Sequence, residues 1–221
     1  MLNINNFKKI SQSLSNRSVS LVAVSKTKPI SDIKILYDEG QRIFGENKVQ
    51  ELVLKYQELP IDIHWHLIGH LQSNKVKFIA PFISLIHSVD SLSLLKEIER
   101  QAKKNNRVID CLLQFHIASE ETKYGLDFSE AEQLLKSKEY ADMKYVRIVG
   151  VMGMASFSED EALVRAEFKN LKNIFLELKN HFFSQEDSFC NTSMGMSGDY
   201  EIAIEEGSNM VRIGSLLFGE R

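Results

Sequence analysis

Short apolar or β-branched runs alternate with longer amphipathic segments along almost the whole chain, and this alternation most restricts the fold. Strand-like runs fall at Val19–Val24, Arg42–Phe44, Ile63–Ile68, Ile83–Val89, Val108–Ile117, Tyr145–Met152, Ser188–Asn191 and Met210–Ile213. Between them lie segments with helix start and stop signals. Ser31-Asp32 can cap a helix that ends at Gly40, and Ser73-Asn74 opens a short one through Phe78, before Pro81. Ser91–Asn105 and Ser129–Lys138 carry polar caps, and Gly207 closes Gly198–Glu206. Ser158–His181 is the longest, with apolar residues at Leu163, Phe168, Leu171, Ile174, Phe175 and Leu178. About eight strands, each followed by a helix, predict parallel βαβ units. Eight such units in 221 residues predict a compact α/β protein, a single (β/α)₈ TIM barrel. An open doubly wound sheet is the alternative. No Pro/Gly/Ser-rich linker divides the chain, so one domain over residues 1–221 is expected.

A 43% hydrophobic composition supports a substantial core. The formal net charge of -3 gives no basic excess that would favour nucleic acid. Cys111 and Cys190 are far apart in apolar, strand-like contexts. They predict two reduced, buried thiols rather than a disulfide framework, which fits a cytoplasmic protein. The first ten residues carry no apolar signal-peptide core, and no stretch is apolar for the roughly 18 residues of a membrane span. The mixed-charge segments Glu97–Arg107 and Glu159–Asn180 read as solvated faces and favour a monomer.

In a barrel of this kind chemistry sits at the C-terminal ends of the strands. Lys26 follows the first strand, in Val19-Ser-Leu-Val-Ala-Val-Ser-Lys-Thr-Lys-Pro29. Desolvation lowers the pKa of an amine carried out of a buried strand and makes it a better nucleophile toward a carbonyl. The plain alternative is a rim lysine that snorkels to solvent. Strand alternation puts Val22, Val24, Lys26 and Lys28 on one face, and Pro29 biases Lys28 toward extended backbone nearer solvent, with Lys26 deeper. Ser193-Met-Gly-Met-Ser-Gly-Asp199 leads from the seventh strand into a helix, and Val211-Arg-Ile-Gly-Ser215 ends the eighth. Two adjacent turns of this kind suit phosphate, through Gly195, Gly198 and the Ser197 hydroxyl. Helix capping by Ser197 or Asp199 is the other use of the first. Arg212 shares a face with Met210 and Gly214 and points into the barrel, where a lone guanidinium is expensive. Its partner is either an internal carboxylate such as Glu46 or Asp90, or an acceptor on a ligand. Asn47, after the second strand, either meets a ligand or caps the helix that begins at Lys48. His64, His66 and His70 lack a nearby Cys or carboxylate to complete a metal site, so they are expected in the core or lining a pocket. Met152, Met154, Met194 and Met196 are expected to fill core or pocket.

An amine, a phosphate cradle and an inward Arg together suit pyridoxal 5′-phosphate (PLP), with its aldehyde, phosphate and pyridine nitrogen. The chain also resembles the pyridoxal phosphate homeostasis proteins, the YggS/PROSC-type family. The matching segments are Ala23-Val-Ser-Lys-Thr-Lys-Pro29, Phe44-Gly-Glu-Asn-Lys-Val-Gln-Glu51, His66-Leu-Ile-Gly-His-Leu-Gln-Ser-Asn-Lys75, Gly150-Val-Met-Gly153, Ser193-Met-Gly-Met-Ser-Gly-Asp199 and Val211-Arg-Ile-Gly-Ser-Leu-Leu-Phe-Gly219. The resemblance implies a barrel like the N-terminal domain of alanine racemase and a Schiff base between PLP and Lys26. It also implies that Asn47 lies against the cofactor, that Arg212 faces the pyridine nitrogen, and that Ser197, Gly214 and Ser215 hold the phosphate. Ser215 stands where the family often has Thr, and His116 where Asn is expected.

The same residues bear on catalysis. A guanidinium is already protonated, so it disfavours protonation of the pyridine nitrogen and leaves a weaker electron sink. Racemisation is the usual exception. It needs a second acid/base on the opposite face, which in the alanine racemase type is a tyrosine from a second domain, and nothing places Tyr124 or Tyr200 opposite Lys26. The expectation is therefore a cytoplasmic, monomeric PLP-binding protein of PLP and amino-acid homeostasis without catalytic activity. PLP-dependent apo-enzymes are its candidate partners, and neither nucleic acid nor membrane is expected. A minimal PLP-dependent racemase is the alternative.

Overall fold

The alternation resolves into eight parallel strands in a computed structural model that describes residues 2–119 and 124–219. They are β1 (Ser20–Val24), β2 (Ile43–Glu46), β3 (His64–Leu67), β4 (Leu85–Val89), β5 (Ile109–Phe115), β6 (Val146–Gly153), β7 (Asn191–Ser193) and β8 (Met210–Ile213). They pair in chain order, and β8 returns to β1 with Val22 opposite Arg212, so the sheet closes into a barrel. The helices are α1 (Ile4–Asn16), α2 (Ile30–Asp38), α3 (Val49–Glu58), α4 (Val76–Ile79), α5 (Leu92–Lys104), α6 (Phe128–Lys136), α7 (Lys138–Ala141), α8 (Glu161–Phe182), α9 (Tyr200–Glu205) and α10 (Ser215–Phe218).

Each strand is buried on both faces, as a parallel sheet covered by helices requires. Val22, Leu85, Leu112, Val149, Met152 and Met210 form the core inside the barrel. Their neighbours Leu21, Ala23, Cys111, Leu113, Ile148, Val151, Val211 and Ile213 belong to the larger core between strands and helices. The β5–β6 pairing contains a bulge on β6. The register steps from Cys111 opposite Ile148 to Leu112 opposite Gly150. Gly150 sits at φ +151°, where a Cβ would fall 1.9 Å from the Asn191 carbonyl oxygen, so a side chain there would push β7 away.

Ser91 caps its helix as expected, whereas the helices expected to open at Ser129 and Ser158 are capped by other residues. Ser91 accepts from the Leu94 N–H at the start of α5. At α6 the cap is Asp127, in a reciprocal box with Glu130, and at α8 it is Asp160. Other expectations are corrected. Ser31-Asp32 does not cap α2, which starts one residue earlier behind Pro29 with no side-chain cap; Asp32 lies in its first turn, where its charge complements the dipole. The seventh strand forms at Asn191–Ser193 rather than Ser188–Asn191. Phe189, which marked the expected strand, lies before it and stacks between Phe175 and Phe183. Cys190 consequently falls outside the strand and is exposed, and only Cys111 is buried. The sequence pattern also left α1 unassigned. It is capped by Asn3, buries Phe7, Ile10 and Leu14, and is tied to the last helix by Asn6 Nδ2, which donates to the Leu216 carbonyl. Among the described residues no helix is long and apolar enough to cross a membrane.

Candidate functional site

A cavity of about 440 Å³ opens at the C-terminal ends of the strands. Lys26, Asn47, Ser197, Arg212, Gly214 and Ser215 all line it, although they follow or belong to four different strands. Among the described residues Lys26, Lys28 and Arg212 set three cationic side chains against one carboxylate, Asp199, in a chain of net charge -3. The cavity therefore suits an anion.

Lys26 occupies a tight turn. The Lys28 N–H donates to the Ser25 carbonyl at 3.0 Å, and Thr27 sits at φ +64°. A positive φ at the third residue of the turn, and at no other, makes it type II. Lys26 and Lys28 are both half-buried and line the same cavity. The Lys28 ammonium is drawn over to the chain end, donating to the Phe218 and Gly219 carbonyls at 3.2 and 3.0 Å.

Neither expected carboxylate partners Arg212. Glu46 accepts from Lys55 and Ser25, and Asp90 lies 3.5 Å from His70. The buried guanidinium instead donates to three neutral oxygens: the Ser193 carbonyl at 2.8 Å, the Ser193 hydroxyl at 2.7 Å and the Gly153 carbonyl at 3.0 Å. Burial lowers its pKa to about 10, against the pull of Asp199, so it remains a cation at neutral pH. Behind it runs a buried relay that sequence reasoning missed. The Ser193 Oγ lies 3.1 Å from His87 Nδ1, and His87 Nε2 lies 3.0 Å from His66 Nδ1. Arginine can only donate, so the Ser193 hydroxyl hydrogen stays available for His87 Nδ1, an arrangement that matches an Nε2–H tautomer of His87 donating on to His66. Burial lowers both imidazoles, His66 to about 3 and His87 well below its usual value, so both are neutral. Strand parity would have flagged polar residues at inward positions of β3, β4, β7 and β8. Among the described residues no cluster could hold a metal ion.

The loops after β7 and β8 are stitched together. The Ser197 Oγ accepts from the Gly214 N–H at 3.2 Å, and the Asp199 carboxylate accepts from the Met196 N–H. Neither side chain caps α9, so capping does not account for the motif. Gly195 takes φ +95°, and a Cβ there would meet the Ala203 Cβ at 2.6 Å. Asn47 precedes Lys48, which stands at the cap of α3 without a side-chain bond, so Asn47 is not the helix cap either. His116 lies just past β5, its N–H donating to the Leu126 carbonyl, and is not among the described residues that line the cavity.

A closed eight-stranded barrel with its cavity at the strand ends is the architecture of alanine racemase N-terminal domains, and residues 4–221 match that family, Alanine racemase, N-terminal domain. An alanine racemase from Bartonella henselae shares the fold at a TM-score of 0.73 and 18% identity, over 100% of this chain and 64% of that one. Within this class the chain belongs to the pyridoxal phosphate homeostasis proteins. It is 42% identical to the one from Aquifex aeolicus (strain VF5) over 203 residues, 91% of this chain and 86% of the relative. PipY of Synechococcus elongatus PCC7942 without PLP superposes with a TM-score of 0.89 at 34% identity, over 97% of this chain and 99% of that one. PipY with PLP bound gives 0.81 at 35% identity, over 91% and 93%.

Proposed function

We propose that this chain is a PLP-binding protein that holds the cofactor as a Schiff base on Lys26 and serves PLP homeostasis without catalytic turnover. The observation that carries the reading is the donor set gathered in one cavity: an amine, a buried guanidinium and two hydroxyl-bearing turns at adjacent strand ends. PLP offers one complementary group to each. The relative PipY, solved with PLP bound, supports the assignment.

Lys26 supplies the amine, which condenses with the aldehyde and releases water. Ser197, Gly214 and Ser215 take the phosphate, Asn47 lies against the cofactor, and Arg212 donates to the pyridine nitrogen. Bound PLP supplies an aldehyde for the anchor and an electron-accepting ring. Arg212, a cation pinned by three neutral oxygens, keeps a proton off the ring nitrogen and so weakens that electron sink. Tyr200 and Tyr124 are not among the residues that line the cavity, which supports a holder of the cofactor over a two-base racemase. The curated relatives carry the name of homeostasis proteins rather than enzymes. The proposal extends to one PLP-binding domain over residues 1–221, a cytoplasmic monomer, and PLP-dependent apo-enzymes as recipients.

Purified protein mixed with PLP should gain a visible absorption band that Lys26→Ala abolishes. A wild-type protein that takes up no PLP overturns the reading. Incubation of the loaded protein with L- and D-amino acids tests the rest: Lys26-dependent inversion or deamination at enzymatic turnover would establish the racemase class instead. Transfer of PLP to an apo-enzyme faster than release into buffer is the expected sign of delivery.

A further inference from the structure

Lys26 stands between two residues whose main chain is held from the same neighbouring helix. On one side the Ser25 carbonyl accepts from Lys55 at 2.7 Å, and the Ser25 hydroxyl donates to Glu46 at 2.6 Å. On the other side the Thr27 N–H donates to Glu51 Oε1 at 2.6 Å. Lys55 closes the arrangement, donating to Glu46 at 2.7 Å and to Glu51 at 2.6 Å. Glu46 and Lys55 are almost wholly buried, and Glu51 is partly so. Glu51 and Lys55 are one turn apart on α3, with the acid toward the N-terminus, the favourable order for a helical pair. None of the three is among the residues that line the cavity.

The clamp coincides with an unfavourable backbone. The third position of a type II turn is the natural place for glycine, yet Thr27, a β-branched residue, occupies it at φ +64°. Such a conformation persists only where its surroundings over-determine it. Here the Glu51 carboxylate on the Thr27 N–H and the Lys55 ammonium on the Ser25 carbonyl do so, from either side of the lysine.

We infer that Glu51 and Lys55, braced by Glu46, are positioning residues for Lys26: they hold the Ser25–Lys28 turn so that its amine is presented to the cavity in one orientation. The inference rests on the reading of Lys26 as the PLP anchor. It assigns a task to charged groups that touch neither cofactor nor phosphate. Their loss should weaken the covalent step and leave non-covalent recognition alone.

The test uses the full chain with Glu51→Ala and Glu51→Gln; Glu51 is the most exposed of the three, so its loss threatens the fold least. In ligand-free protein, Glu51→Ala should speed amide hydrogen exchange at Thr27 at least tenfold. Affinity for PLP should fall at least tenfold. Affinity for pyridoxine 5′-phosphate, which has the phosphate and ring but no aldehyde, should stay within twofold. Glu51→Gln keeps an acceptor for the Thr27 N–H and should recover most of the loss. Unchanged exchange at Thr27, unchanged PLP affinity, or equal losses for the two ligands would each overturn the inference. Failure of the parent reading is separate: in that case wild-type protein forms no Lys26 adduct with PLP, whatever the exchange at Thr27.

Discussion

Arg212 is bound twice by Ser193, through the carbonyl at 2.8 Å and the hydroxyl at 2.7 Å, so one residue of β7 holds the guanidinium of the neighbouring strand β8 at two points. The hydroxyl is also the first link to His87. Ser193→Ala therefore strands one guanidinium N–H and the His87 Nδ1 in a buried site. Such groups cost about 1–3 kcal/mol each when left unpaired. The expected result is a loss of about 2–6 kcal/mol in urea unfolding, with a weaker hold on PLP and a shifted absorption band. A variant with wild-type stability and spectrum would show that Ser193 does not position Arg212.

The relay also predicts how stability responds to acid. His66 and His87 are buried neutral, with pKa values pushed below the ordinary 6.5. The unfolded chain takes up their protons at pH values where the folded chain does not. Stability is therefore full above about pH 6.5 and is lost as pH falls from there toward the folded values, about 3 for His66. At pH 5 His66 should cost about 2 kcal/mol, and His87 adds to the loss in the same direction. Glu46 works in the opposite sense, because burial raises its carboxyl and the folded state then binds that proton more readily. The net slope should be below two protons. Unfolding measured between pH 7 and pH 5 checks this, and His87→Phe should flatten the slope if the assignment holds.

The legible parts of this fold are those set by local pattern. Strands such as Val19–Val24 and Ile83–Val89 are apolar on both faces because helices cover one side and the barrel interior the other. The displaced seventh strand shows the limit: Asn191-Thr-Ser193 is polar, and it becomes a strand through its pairing with Gly150–Met152. The first helix was readable in principle, since Phe7, Ile10 and Leu14 recur at helical spacing. The cavity residues were legible because phosphate-suited turns and an inward Arg carry local signals, to which the resemblance added Asn47. The relay and the clamp were not. His66, His87 and Ser193 look ordinary alone, and Glu51 and Lys55 reach the turn around Lys26 only through tertiary packing.

Gly195 offers a test of the loop after β7. It combines φ +95° with a Cβ position 2.6 Å from the Ala203 Cβ, and its carbonyl accepts from the Arg212 N–H at 3.0 Å. Gly195→Ala meets both a backbone penalty and a clash, together about 1–3 kcal/mol. The loop should shift away from α9 and take Ser197 with it. Affinity for inorganic phosphate and PLP should both fall, in contrast to the aldehyde-selective loss expected from Glu51→Ala. Gly198→Ala is the control, because a Cβ there meets nothing within 4 Å. Its stability should stay close to wild type.

The buried Glu46–Lys55 pair predicts a non-additive pair of substitutions. Glu46 Oε1 accepts from Lys55 and Ser25, while its Oε2 is buried without a hydrogen-bond partner, so Lys55 is its principal source of compensation. Lys55→Met removes the cation and leaves a carboxylate in a low-dielectric site, a change that costs about 3–5 kcal/mol for buried pairs. Glu46→Gln alone removes the buried negative charge and leaves Lys55 with Glu51 and the Ser25 carbonyl, so its cost should be smaller. The double variant Glu46→Gln/Lys55→Met should be more stable than Lys55→Met by about 1–3 kcal/mol, because no uncompensated charge is left inside. Denaturant unfolding of the four proteins gives the coupling directly. Additive single effects would mean that Lys55 contributes through packing of its methylene stem rather than through its charge.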